Sequence, residues 1–209
     1  MTHILKVTVH QADHLEDVER FGKNDPYARI SFGLDGKNTA KTQTLKNAGK
    51  EAAWNKTLEL PNYNPQEHET LYLEILDEET GFDEPIAFTA IPLHQVLAAQ
   101  GHALRGRFDL HTVKGKQKGE VLLSIVVVNA GQTEGAHPQS EVRGLVKLDS
   151  AQQARINGLV RKEKAGDVGT AALLAGAILG AKALHDSSKD SKKVAHDQQE
   201  QAKAENREY

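Results

Sequence analysis

Ten carboxylates crowd two short stretches of the chain. DHLEDVERFGKND carries Asp13, Glu16, Asp17, Glu19 and Asp25, and LDEETGFDEP carries Asp77, Glu78, Glu79, Asp83 and Glu84. Carboxylates grouped in this way have two ordinary uses. They cradle a hard cation such as calcium, which takes roughly six to eight oxygen ligands, or they stay solvated as loop acids at an exposed surface. Each stretch also holds one phenylalanine next to or near a glycine, Phe21 and Phe82. A large apolar ring in charged company needs either a pocket or a partner. Other chemistry is poorly served. The histidines are scattered with no HExxH, and there is no Gly-x-Ser-x-Gly elbow, no phosphate-cradling glycine loop before a helix, and no cysteine. No catalytic constellation emerges, and a non-enzymatic protein is expected.

Both acidic stretches lie between runs that read as strands. ILKVTVH alternates apolar and polar residues with Leu5, Val7 and Val9 on one face, and PYARISF places Tyr27, Ile30 and Phe32 in a second run. NTAKTQTL, AWNKTLEL, TLYLEIL, PIAFTAIPL, LRGRFDL and GEVLLSIVVV follow, each bounded by Gly, Pro, Asn or Asp. About eight short strands in roughly 130 residues predict a mainly β fold, an eight-stranded antiparallel sandwich. Two acidic loops at one end of such a sandwich can converge. With 26 Lys and Arg against 29 Asp and Glu, the net charge of −3 is too even to draw nucleic acid by global electrostatics. The missing cysteine fits a reducing, cytoplasmic setting, and the strand-like N-terminus carries no secretory pattern.

After Asn129 the texture changes, which divides the chain into a sandwich over 1–130, a linker over 131–148, a helical segment over 149–186 and a polar tail over 187–209. The linker, AGQTEGAHPQSEVRG, is rich in Gly, Pro and Ser without apolar periodicity. The first helix takes Ser150 as N-cap with Gln153 three residues on, Ile156, Leu159 and Val160 at helical spacing, and Gly166 as its stop. A second spans about 168–185. The tail is polar enough to be disordered or a frayed helix. TAALLAGAILGA is about 12 residues long, well short of the roughly 20 that span a bilayer. Ala172, Gly176 and Gly180 give one smooth face that suits close helix approach, so self-association into a homo-oligomer is one use of this helix. The sandwich or a membrane surface are alternative covers.

LKVTVHQADHL followed by GKNDPYARI, then KTQTLKNAGKEAAWNKTLEL, then LYLEILDEE leading to DEPIAFTAIPL, resembles the C2 domain family over residues 1 to about 130. That resemblance implies a β-sandwich whose chain begins at the strand feeding the first metal loop. It also implies calcium as a cofactor and an anionic phospholipid membrane surface as partner, with the protein peripherally membrane-associated. Carried over by position, the metal residues are Glu19, Asp25, Asp77, Glu79 and Glu84, with Asp83 adjacent. Three of the five are glutamates where the family usually has aspartate, which moves each carboxylate by one methylene. Phe21 and Phe82 fall where lipid-binding members place rings that dip into the bilayer; alternatively they cap the core. A lysine patch for lipid headgroups would comprise Arg29, Lys41 and Lys46. The competing reading is a calcium-independent interaction or self-assembly scaffold built on the Gly/Ala-rich helix.

Overall fold

The computed structural model describes residues 3–19, 22–129, 131 and 140–167, with side chains through 162. Phe21, the second helix with Ala172, Gly176 and Gly180, and the polar tail lie outside the described residues. A first compact unit runs from Met1 to Glu163 and a second from Lys164 to Tyr209.

Eight strands follow the expected runs: β1 (His3–Asp13), β2 (Pro26–Ser31), β3 (Thr39–Lys41), β4 (Ala52–Tyr63), β5 (Thr70–Asp77), β6 (Glu84–Pro92), β7 (Ala103–Thr112) and β8 (Gln117–Asn129). They pair in the order β3-β2-β5-β6-β7-β8-β1-β4, antiparallel throughout. One layer is β3-β2-β5-β6 and the other is β7-β8-β1-β4. They are joined through β6 and β7 by only two residue pairs, Ala87 with Thr112 and Phe88 with His111.

The period-2 alternation decides which side chains fill the space between layers. Leu5, Val7 and Val9 of β1 are completely buried, as are Ile30 of β2, Leu73 and Ile75 of β5 and Leu123 and Ile125 of β8. A bulge between Val9 and Gln11, seen against both neighbours of β1, reverses the alternation so that Ala12 is again buried. His3 pairs with Asn129. The start of β1 and the end of β8 therefore share one end of the sandwich, while the connection from β1 to β2 sits at the other.

The described part of the segment expected as a linker contributes a ninth strand, β9 (Glu141–Arg143), parallel to β7. From there the chain crosses the seam between layers: the Gly144 amide donates to the Arg107 carbonyl (2.9 Å) and the Lys147 amide to the Ala90 carbonyl (2.9 Å). Gln95, in the short helix α1 (His94–Ala98), holds the Leu145 backbone at both polar atoms, its Nε2 donating to the carbonyl and its Oε1 accepting the amide. A Cβ at Gly144 would overlap the Phe108 ring, so only glycine passes there.

Helix α2 (Ser150–Asp167) then lies over the outer face of β5. Its cap is Asp149, whose Oδ1 accepts the amides of Ala151 and Gln152 at 3.0 Å each, in place of the expected Ser150. An ionised carboxylate at a helix N-terminus also meets the positive end of the helix dipole, which a hydroxyl does not exploit. Gln153, expected to complete a capping box, instead donates to the Val113 carbonyl. Gln152 is buried and donates to the Leu73 carbonyl, and Ile156 is completely buried. This cover explains why β5 is buried on both faces, Glu74 and Leu76 included.

Candidate metal centre

Register assembles the acidic end. In the β2-β5-β6 ladder Pro26 pairs with Asp77, and Asp77 pairs with Glu84, so three strand ends bring Asp25, Asp77 and Glu84 to one level. Trp54 supports the row from below, its indole N–H reaching the Pro26 carbonyl at 3.2 Å. The β1–β2 loop is organised by Asn24, which is completely buried. Its amide donates to the carbonyls of Glu16 (2.8 Å) and Gly49 (3.2 Å), and its oxygen accepts the Val18 amide (3.1 Å). Sequence reading missed Asn24, and the only signal was its place just before Asp-Pro-Tyr.

Among the described residues, carboxylate oxygens of Glu19, Asp77 and Glu79 lie within 4.8 Å of one another. Asp77 is the centre of this group. Its Oδ1 accepts the Asp25 amide at 2.5 Å, whereas Oδ2 is buried with no hydrogen-bond partner. Burial pushes its pKa up to about 6 against the Asp25 amide, the next largest influence, with the charges of Glu79 and Asp25 adding to the rise. A carboxylate with a buried oxygen that lacks a donor, grouped with two further carboxylates, is a donor set suited to a hard cation.

The remaining positions are disposed differently. Asp25 is held below its ordinary range, first by the Asn47 amide on Oδ1 (2.6 Å) and then by Lys46, whose ammonium is 3.0 Å from Oδ2. The same ammonium lies 2.9 Å from Glu78, which also accepts the Thr44 hydroxyl; these two contacts lower the Glu78 pKa. Asp83 latches the second loop, accepting the Tyr27 hydroxyl at 2.6 Å and the Glu79 amide at 3.3 Å. Glu84 stands opposite Asp77 in the ladder, outside the three-carboxylate group. The structure thus brings together three of the six acids named from sequence.

Phe82 is 55% exposed on the loop tip, after Gly81, whose φ of 117° other residues rarely adopt. It lines a cavity of about 200 Å³ together with Tyr27, Leu76, Asp83 and, from α2, Leu159 and Lys162. The cations named as a headgroup patch each have a contact within the chain. Arg29 clasps the buried Glu74 (3.1 and 2.5 Å) beneath α2, where Arg155 approaches the same oxygen at 3.5 Å. Lys41 sits over the Tyr27 ring at 4.9 Å, and Lys46 bridges Asp25 and Glu78.

Comparison with known proteins fits this geometry. The chain is 32% identical over 126 residues to the Arabidopsis thaliana "Calcium-dependent lipid-binding protein", a match covering 58% of this chain and 24% of that one. It is 29% identical over 97 residues to the "Protein SRC2 homolog" of the same plant, covering 44% and 30%. The matches thus span less than a third of either curated relative. Among solved structures, a C2 domain of plant Extended Synaptotagmin 1 superposes with a TM-score of 0.51 at 19% identity, over 62% of this chain and 96% of that domain, which shows a shared fold. The C2 domain family model matches residues 3–110, more than half of the 209. With the Asp-Pro-Tyr row and both acidic loops inside that stretch, the chain belongs to the C2 domain family.

Proposed function

We propose that this chain is a non-enzymatic, peripheral membrane-binding module whose loop end takes up calcium and then docks on anionic phospholipid. One observation carries the reading: the Glu19–Asp77–Glu79 group, with its buried unpartnered oxygen, draws Glu79 from the same β5–β6 loop that exposes the ring of Phe82. Glu19, Asp77 and Glu79 are the residues that would hold the ion, which supplies positive charge at the tip. Without a cation, a carboxylate cluster repels a negative lipid surface; neutralised, it permits approach. Phe82 then buries its ring in the apolar layer, and Phe21 is the second candidate ring. Of the headgroup cations, Lys41 is the best placed, since Arg29 is committed to Glu74 and Lys46 to Asp25 and Glu78. No helix among the described residues is long and apolar enough to cross a membrane, in keeping with surface attachment. A cytoplasmic location suits the cysteine-free composition.

The relative named for calcium-dependent lipid binding supports the same assignment. Sedimentation of the full chain with phosphatidylserine/phosphatidylcholine vesicles tests it. Pelleting in calcium that is lost on chelation is expected, and Phe82→Ala should weaken it by about tenfold to a hundredfold, consistent with the roughly 1.5–3 kcal/mol for burying such a ring. Pelleting that ignores chelation would favour a calcium-independent module. No pelleting, together with an oligomer by light scattering, would favour the self-assembly scaffold.

A further inference from the structure

Lys46 stands in the connection between β3 and β4, and its side chain is 62% exposed. Its ammonium nevertheless makes two short contacts, to Asp25 Oδ2 and Glu78 Oε2. The other oxygens of the same two acids are also engaged: Asp25 Oδ1 by the Asn47 amide and Glu78 Oε1 by the Thr44 hydroxyl. One four-residue stretch, 44–47, therefore satisfies all four oxygens of Asp25 and Glu78. Asp77 Oδ2, buried in the neighbouring group, has no such donor.

We propose that Lys46 is a resident counter-ion that withholds Asp25 and Glu78 from the metal, dividing the acidic end into a lysine-bridged pair and a three-carboxylate site for a single divalent cation. The inference rests on the calcium reading above and fixes its stoichiometry. An ammonium supplies three N–H donors, enough to bond both carboxylates, and one charge that offsets half of theirs, and it needs no dehydration of a divalent ion. Asp25 is adjacent to the site, since its amide already binds Asp77 Oδ1. Removing the ammonium therefore frees an oxygen ligand beside the metal, and calcium affinity follows the charge and number of available ligands. Because Lys46 is exposed and outside the core, its replacement leaves the packed elements intact.

The test is calorimetric titration of calcium into the full chain, with the calcium-induced shift in melting temperature as a second readout. Four variants are compared with the parent: Lys46→Met, Lys46→Gln, Lys50→Met and the double variant Lys46→Met/Asp25→Asn. Lys50→Met removes the same charge from an exposed residue of the same connection and leaves the four oxygens of Asp25 and Glu78 with their partners, and so measures the general field. One ion is expected in the parent. Lys46→Met and Lys46→Gln should bind at least about tenfold more tightly or take up a second ion, Lys50→Met should stay within about threefold, and the double variant should return to the parent level. Lys46 variants no different from Lys50→Met, or a double variant as tight as Lys46→Met, would overturn the inference while leaving calcium binding in place. A parent that shows neither heat nor a thermal shift would remove the calcium reading itself, and this inference with it.

Discussion

A carboxylate buried beside two others raises its own free energy, and Asp77 occupies that position between Glu79 and Asp25. Its pKa, ordinarily 3.8, is pushed up to about 6 in the folded chain. Between those values the folded state holds the proton and the unfolded state has released it, so this group stabilises the fold below about pH 4 and loses that contribution as pH rises through about 6. Such a shift corresponds to about 2–3 kcal/mol. Asp77→Asn keeps an oxygen for the Asp25 amide and replaces the unpartnered Oδ2 with a donor. Melts in chelator should accordingly show the variant more stable than the parent at pH 7 and the two converging near pH 4. Calcium should reverse the ranking at pH 7, because only the parent is stabilised by the ion. Because the metal needs the ionised form, calcium affinity should also fall below pH 6, by about tenfold per unit for one proton displaced. A titration at pH 5 and pH 7 measures that slope, and equal affinities would exclude Asp77 as a ligand that must lose a proton on binding.

The strap from β9 through Gly144 to Lys147 closes the side where β6 and β7 pair over only two residue pairs. A Cβ at Gly144 cannot be accommodated by a ring that is itself completely buried in the core. Gly144→Ala should therefore cost about 1–3 kcal/mol, as overpacking of a filled site does. The loss should be local: hydrogen exchange over 141–147 should rise by more than in β1 or β8, and a uniform rise would place the strain elsewhere. The strap also marks the limit of what was legible. Strands such as β1, β4 and β7 followed from alternation because one apolar face is buried at every second residue, and β5 and β6 followed from near-continuous apolar runs bounded by turn residues. The strap has no such face; it is held by backbone hydrogen bonds and by ion pairs of Arg107 and Arg143 with Glu141, Glu120 and Asp109. Polar residues with partners look the same in sequence as polar residues in water. For the same reason Glu19, Asp77 and Glu79 were legible as acids at family positions, but the lysine that holds Asp25 was not. Its contact depends on how the connection between β3 and β4 folds back over the β2–β5 pair.

At the scale of the whole molecule, the appendage and the sandwich depend on each other. Helix α2 buries Ile156, covers Leu76 through the cavity it lines with Leu159, and brings Arg155 to Glu74. The strap meanwhile pairs the β7 edge from Arg105 to Arg107. A chain ending at residue 131 would expose that edge, uncover the outer face of β5 and take Arg155 from Glu74, leaving the ion pair with Arg29. Losing the burial of Ile156 alone is worth roughly 1.5–3 kcal/mol, and an uncovered strand edge invites pairing with another chain. A chain ending at 167 keeps all three contacts. Calorimetry of the two chains at equal concentration should therefore show the shorter one melting several degrees lower, on the order of 2–4 °C for each kcal/mol lost in a domain of this size, with concentration-dependent aggregation that the longer one lacks. Equal melting temperatures would mean that strap and helix rest on the sandwich without stabilising it. A lower one would mean that the residues after Asn129 are part of the folding unit, so that vesicle and calcium measurements on the isolated sandwich would report on a weakened protein.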